Sequence, residues 1–237
     1  MGYESSEKYY DDLAESYDAA AALKANYIGS INRIIQEHIK GKVTTFLDIG
    51  CGNGQRTKEI IYNVQPDSST LVDTSREMIR LARQNVPGVS LLCLDPLSMS
   101  NENRFALITA LWNVIGHFPN AEYKQKFFHK IHSLLLEEGL FVFDVNNRFN
   151  VKCYGMVAVL RNVIRDIVIG SQSGYFELKI PGKSKTRVYI HKPNELEAYI
   201  DKAKLDIVNK VYVNYSNGNI EKSPYKGQIV YILKKRQ

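Results

Sequence analysis

Residues 46–54 read Phe46-Leu-Asp-Ile-Gly-Cys-Gly-Asn-Gly54, an apolar run that meets an acid and breaks into three alternating glycines. Val43 to Ile49 has the short apolar pattern of a strand covered on both faces. Gln55 to Tyr62 then has helical spacing. At Gly50, Gly52 and Gly54 the missing Cβ lets the chain turn sharply and lets a ligand approach the main chain closely. Asp48 stands at the strand end, where ligands bind in open α/β sheets, and its carboxylate suits a cationic amino group.

Working outward, the pattern of strand, acid and helix repeats. Thr70 to Asp73 is a strand, and Asp73 lies nineteen residues beyond Gly54, where a carboxylate takes both hydroxyls of a ribose. Thr74 or Ser75 caps a helix running to Asn85. Val89 to Leu94 is a third strand, followed by Asp95 and Pro96, with Asp95 set to accept a hydrogen bond from the exocyclic amine of a base. Any one of these acids or glycines could serve an ordinary cap or turn. Three in order, at three successive strand ends, predict a nucleoside-bearing ligand. A dinucleotide fits less well. Its third glycine would fall at Gln55, some forty helical residues precede the motif, and Asp48 crowds the place of a pyrophosphate.

The alternation continues through a strand (Phe105 to Trp112), a helix (Ala121 to Leu136) and a fifth strand (Leu140 to Val145). It predicts an α/β, doubly wound, mostly parallel sheet. Residues 147–190 break the rhythm and read as an insertion, with an apolar helix over Tyr154 to Ile169 and strands at Tyr175 to Ile180 and Thr186 to Ile190. A helix (Asn194 to Ala203) and strands at Asp206 to Val213 and Gly227 to Leu233 complete the chain. The first forty residues are helical, with Tyr27, Ile31, Ile34, Ile35 and Ile39 on one face.

Leu47-Asp-Ile-Gly-Cys-Gly-Asn-Gly54, Leu71-Val-Asp-Thr-Ser-Arg-Glu-Met-Ile-Arg-Leu-Ala82 and Leu94-Asp-Pro96 resemble the first three motifs of class I S-adenosylmethionine-dependent methyltransferases of small-molecule type. The resemblance implies a seven-stranded Rossmann-like sheet with an antiparallel last strand. It divides the chain into an N-terminal helical lid (1–40) and a methyltransferase domain (41–237). It implies that Asp48, Gly50, Cys51, Gly52, Asn53 and Gly54 hold the methionine part of S-adenosylmethionine. Asp73 and Thr74 would meet the ribose, Met78 the adenine, and Asp95 and Pro96 its amine. Leu111 and Trp112 would line the methionine side. Tyr10-Asp-Asp-Leu-Ala-Glu-Ser-Tyr-Asp18 is similar to the tyrosine–aspartate lid helix of small-molecule members. Tyr10 would face substrate and Tyr17 cofactor, although two aromatics seven apart also suit plain packing of a helix face.

Methyl transfer is an in-line displacement, and holding the nucleophile on line can be worth ~7–11 kcal/mol. The acceptor is therefore hard to read from side chains. His117, past the fourth strand, is the candidate base, since an unperturbed imidazole titrates near ~6.5; a structural hydrogen bond is the alternative. Asn113 and Arg148 stand where the site should open, and Arg148 would pair with an anionic acceptor or simply sit in solvent. The histidines show no metal-ligand spacing.

Composition narrows the classes. Hydrophobic residues make up 44% of 237, ample for a buried core. No apolar run approaches the ~20 residues that cross a bilayer, and the polar start is unlike a signal peptide. Cys51, Cys93 and Cys153 are odd in number and scattered, which predicts reduced thiols and a cytoplasmic protein. The net charge of +6 divides into −4 before Asn146 (14 Lys+Arg, 18 Asp+Glu) and +10 from Asn146 onward (17 and 7). The basic part could attract an anionic substrate, RNA or an acidic lipid surface, or simply be solvated. No RNA-binding module or polar-Pro-Pro-aromatic loop is present, since Asn113-Val-Ile-Gly116 follows the fourth strand. The expectation is therefore methylation of nitrogen or oxygen on a small metabolite by a monomer or homodimer, without nucleic acid or membrane contact. Action on RNA or protein, and a non-catalytic cofactor-binding regulator, are the alternatives.

Overall fold

The computed structural model describes residues 4–169 and 174–236. Helices α1 (Ser6–Leu13), α2 (Tyr17–Ala22) and α3 (Ala25–His38) lead into the alternating core. That core is β1 (Thr45–Ile49), α4 (Gln55–Val64), β2 (Ser68–Asp73), α5 (Arg76–Asn85), β3 (Ser90–Cys93), β4 (Phe105–Ala110), α6 (Ala121–Leu134) and β5 (Leu135–Val145). Next come α7 (Val151–Tyr154), α8 (Met156–Ile169), β6 (Tyr175–Lys179) and β7 (Lys185–Tyr189). The chain closes with α9 (Pro193–Lys202), β8 (Leu205–Val213), β9 (Ile220–Glu221) and β10 (Gln228–Lys235).

The main sheet has the order β3-β2-β1-β4-β5-β10-β8-β9. The first five strands pair in parallel, while β10, β8 and β9 run antiparallel to their neighbours. The sheet therefore has eight strands where seven were expected. The addition is the two-residue β9, which pairs with the end of β8 through Tyr212–Glu221 and Val213–Ile220. So short an edge strand carries no periodicity that a sequence reading could detect.

Alternation along the strands sends side chains to two cores. Phe141, Phe143 and Val145 of β5 pack with Phe127, Phe128 and Ile131 of α6 and Leu196 and Ile200 of α9. Val142 points the other way, to Tyr27, Ile31, Ile34 and Ile35 of α3 and Ile60 of α4. Each such buried side chain contributes about 1.5–3 kcal/mol of transfer free energy. The helical N-terminus thus has two parts: α3 is built into the core, and α1 and α2 lie farther out.

Boundaries moved where backbone conformation overrides pattern. β4 ends at Ala110 because Trp112 and Asn113 both have left-handed backbones (φ 65° and 62°), which no strand tolerates. The apolar helix starts at Met156, not Tyr154, because Gly155 at φ 81° separates α7 from α8. After β5 come α7, α8 and the β6–β7 hairpin, and the hairpin is tied to the N-terminal segment by Glu4 N–H to Lys185 C=O at 3.0 Å.

One buried carboxylate joins these parts. Asp144 of β5 accepts from the Tyr27 hydroxyl of α3 at 2.7 Å and from the Trp112 N–H at 2.5 Å. The Arg56 guanidinium of α4 lies 3.9 Å away. Asp144→Ala should lower the unfolding free energy by about 2–4 kcal/mol, and Tyr27→Phe by about 1 kcal/mol. Chemical denaturation measures both, and an Asp144→Ala loss under about 0.5 kcal/mol would remove the carboxylate from this role.

Candidate active site

The ends of β1, β2 and β4 converge with the N-terminal helices on a cavity of about 230 Å³. Its floor comprises Ile49, Gly50 and Gly52 after β1, then Val72, Asp73 and Thr74 at β2. Asp95 and Pro96 follow β3, Leu111 and Trp112 follow β4, and Tyr10 and Tyr17 approach from the N-terminal helices.

The glycine turn is shaped for close contact. Gly52 has φ 55°, and a Cβ there would stand 3.0 Å from the Tyr17 hydroxyl. At Gly50 (φ 69°) a Cβ would meet Val114 at 2.5 Å. The loop is also fixed to the next strand, because Gly52 N–H donates to Asp73 Oδ2 at 2.8 Å and Ser75 N–H donates to Oδ1 at 2.9 Å. Burial pushes the Asp73 carboxyl up to about 6, against the lowering effect of these two N–H groups. Asp95 caps the turn that follows it through Leu97 N–H at 2.8 Å, and the same oxygen accepts from Tyr123 at 2.6 Å.

Other predicted residues support the cavity from behind. Asp48 is buried, accepting from the Thr109 hydroxyl at 2.6 Å and from the Thr57 hydroxyl, so its carboxylate serves the interior. Cys51 packs with Leu71, Ile79 and Val86. Asn53 donates to Asp18 of α2 at 2.5 Å. A Cβ on Gly54 would strike Val86 at 2.8 Å, a helix-packing constraint. Met78 is wholly buried in α5. Asn113 is buried and accepts the Asn146 N–H at 2.9 Å. Arg148 is 1% exposed and pairs with Asp166 at 2.5 Å, which corrects its expected place facing a substrate.

A second chamber of about 260 Å³ adjoins the first. Tyr10, Tyr17, Trp112 and His117 line both, forming a shared aromatic wall. Its other sides are Tyr9, Leu13, Ala20, Asn113, Asn146, Leu178, Val188 and Tyr215, none of them charged. Within the wall, Tyr17 and Trp112 meet edge to face at 5.4 Å, and Trp112 Nε1–H donates to the Tyr215 hydroxyl at 3.2 Å. His117 Nε2 and the Tyr10 hydroxyl are 3.0 Å apart. Desolvation pushes His117 down to about 4, so the ring is neutral at physiological pH, contrary to the expected titration near neutrality.

The sequence reading missed Val114, Phe118, Pro119, Tyr123 and Tyr215, all of which line a chamber. Tyr123 alone carried a usable signal, standing in the first turn of a helix capped by Asn120 and so at the rim of the sheet.

Comparison with other proteins gives consistent relatives. Residues 46–139 match the methyltransferase domain family. An uncharacterized protein of Methanocaldococcus jannaschii is 27% identical over 231 residues, covering 92% of this chain and 83% of that protein. An S-adenosylmethionine-dependent methyltransferase from Clostridium acetobutylicum superposes with a TM-score of 0.67 at 19% identity, covering 96% and 99% of the two chains. An S-adenosylmethionine-bound amino pentose methyltransferase from Micromonospora echinaspora gives 0.63 at 12% identity over 93% and 96%.

The Tyr10–His117 contact is directly testable. With His117 held down to about 4, its ring NMR signals should stay constant between about pH 5.5 and 8. A midpoint near ~6.5 would mean that the ring is solvated and the wall open.

Proposed function

We propose that this chain, a member of the class I S-adenosylmethionine-dependent methyltransferase superfamily, transfers a methyl group to nitrogen or oxygen of a small metabolite. The observation that carries this reading is the pair of chambers meeting at one aromatic wall. One has a carboxylate and a glycine turn suited to a nucleoside; the other is lined by uncharged side chains and sized for a small molecule.

The residues present fit the cofactor. Gly50 and Gly52 leave room that a Cβ would fill, and Asp73 offers a partly buried carboxylate with lone pairs beyond those used by Gly52 and Ser75. In this reading Asp73 and Thr74 bind the ribose, Asp95 and Pro96 the adenine edge, and Leu111, Trp112 and Tyr17 the methionine part. Asp48 acts through the shape of the turn, since its oxygens already accept from two threonines. When bound, the cofactor would supply an electrophilic sulfonium methyl, with its sulfur as the leaving group that keeps the electron pair of the carbon–sulfur bond.

The aromatic wall aligns the acceptor with that methyl, which is the main task in this chemistry. The uncharged second chamber favours an acceptor without a carboxylate or phosphate near the reacting atom, which replaces the anionic reading based on Arg148. His117, neutral and hydrogen-bonded to Tyr10, orients the acceptor; a group at about 4 is a poor match for proton abstraction at pH 7. The proton of an N–H or O–H acceptor is released to solvent. Residues 6–22 act as the lid over both chambers.

Calorimetric titration of S-adenosylmethionine tests the cofactor assignment. Micromolar binding is expected, weakened about 5- to 10-fold or more by Asp73→Ala and similarly by Gly52→Ala. No binding to the folded wild type would overturn the proposal. The pH dependence has a defined sign. A carboxyl at about 6 is ionised above that value and protonated below it, so affinity should be flat above about pH 7 and fall as pH drops through about 6. Asp73→Asn should abolish that fall. His117→Ala should lower kcat about 10- to 100-fold without adding or removing a limb of the pH–rate profile near neutrality.

A further inference from the structure

Helix α8 is amphipathic with its faces reversed. An ordinary surface helix turns its apolar stripe inward. Here the polar side chains are inside: Asn162 is buried, and Asp166 pairs with buried Arg148 at 2.5 Å and with Lys192 at 3.6 Å. Met156, Val157, Leu160, Ile164, Ile167 and Val168 are between 53% and 83% exposed. With Val163 at the edge they span an arc of roughly 140° at 100° per residue. A contiguous apolar face of this kind marks an interaction surface.

Charge around the stripe selects what covers it. Arg161 and Arg165 border one edge; Lys152, which precedes the helix on α7, is already paired with Glu221 at 3.1 Å and does not count toward that border. The Val151 N–H donates to the Tyr225 carbonyl at 2.8 Å, which places exposed Tyr225, flanked by exposed Lys222 and Lys226, beside α7. The one acid of α8, Asp166, is turned inward. We propose that the α8 face docks on an anionic lipid surface, with its apolar side chains in the acyl boundary and the arginines at phosphate level. Pairing with a second copy would join two arginine-bordered faces with no exposed α8 acid between them, and the arc is wider than a helix–helix seam. This revises the expectation that the chain makes no membrane contact, and it is independent of the methyl-transfer reading.

The test is co-sedimentation of the full chain with vesicles of phosphatidylcholine containing about 30% phosphatidylglycerol, beside pure phosphatidylcholine. The protein should pellet with the anionic vesicles, less so at high salt. Ile164→Ser/Ile167→Ser, at exposed positions, should reduce the bound fraction about 10-fold or more with unchanged circular dichroism and S-adenosylmethionine titration. Arg161→Glu/Arg165→Glu should also weaken binding to anionic vesicles. Failure of wild type to pellet, or equal pelleting by the serine variant, would overturn the proposal. So would a wild-type dimer in analytical ultracentrifugation that the serine variant dissociates, which would assign the face to a second copy.

Discussion

Asp144 lies buried at the end of the central strand β5, where two parts of the molecule hydrogen-bond to it and a third brings a guanidinium to 3.9 Å. Tyr27 brings α3, Arg56 brings α4, and the Trp112 N–H brings the turn after β4. Burying a carboxylate costs several kcal/mol unless it is well paired and hydrogen-bonded. Here that cost is offset by contacts that also fix the turn. Trp112 and Asn113 are held with positive φ, a conformation that costs about 1–3 kcal/mol per residue and persists only where surroundings over-determine it. From this turn the Trp112 indole meets Tyr17 edge to face and lines both chambers.

The wall is assembled from segments distant in sequence. Tyr10 and Tyr17 come from the N-terminal helices and Trp112 and His117 from the chain after β4, while Tyr215, beyond β8, buttresses Trp112. Further polar contacts fasten the N-terminal helices above the glycine turn: Asp11 accepts from Ser75 at 2.5 Å, and Asp18 from Asn53. The N-terminal segment is thus anchored to the elements that form the first chamber, while its aromatic side faces the second.

Much of this was readable from residue order, because topology alone puts strand ends together. Asp73, Thr74, Asp95 and Pro96 line the first chamber because they follow strands that lie side by side in parallel. Side-chain direction was not readable. Asp48 follows the same rule of position yet turns to Thr57 and Thr109, and Arg148 finds a partner, Asp166, on a helix that sequence alone could not dock. The neutral state of His117 depends on enclosure beneath Tyr10, a contact across 107 residues. The two-residue β9 and the left-handed Trp112 carry no periodic signal at all; the first added a strand and the second moved a boundary.

The shared wall also bears on the order in which ligands come and go. Tyr10 and Tyr17 belong to one continuous stretch of chain, and each borders both chambers. A displacement that moves both tyrosines therefore reshapes the two chambers together. On the reading proposed above, with cofactor in one chamber and acceptor in the other, exchange at both would be coupled through this one stretch.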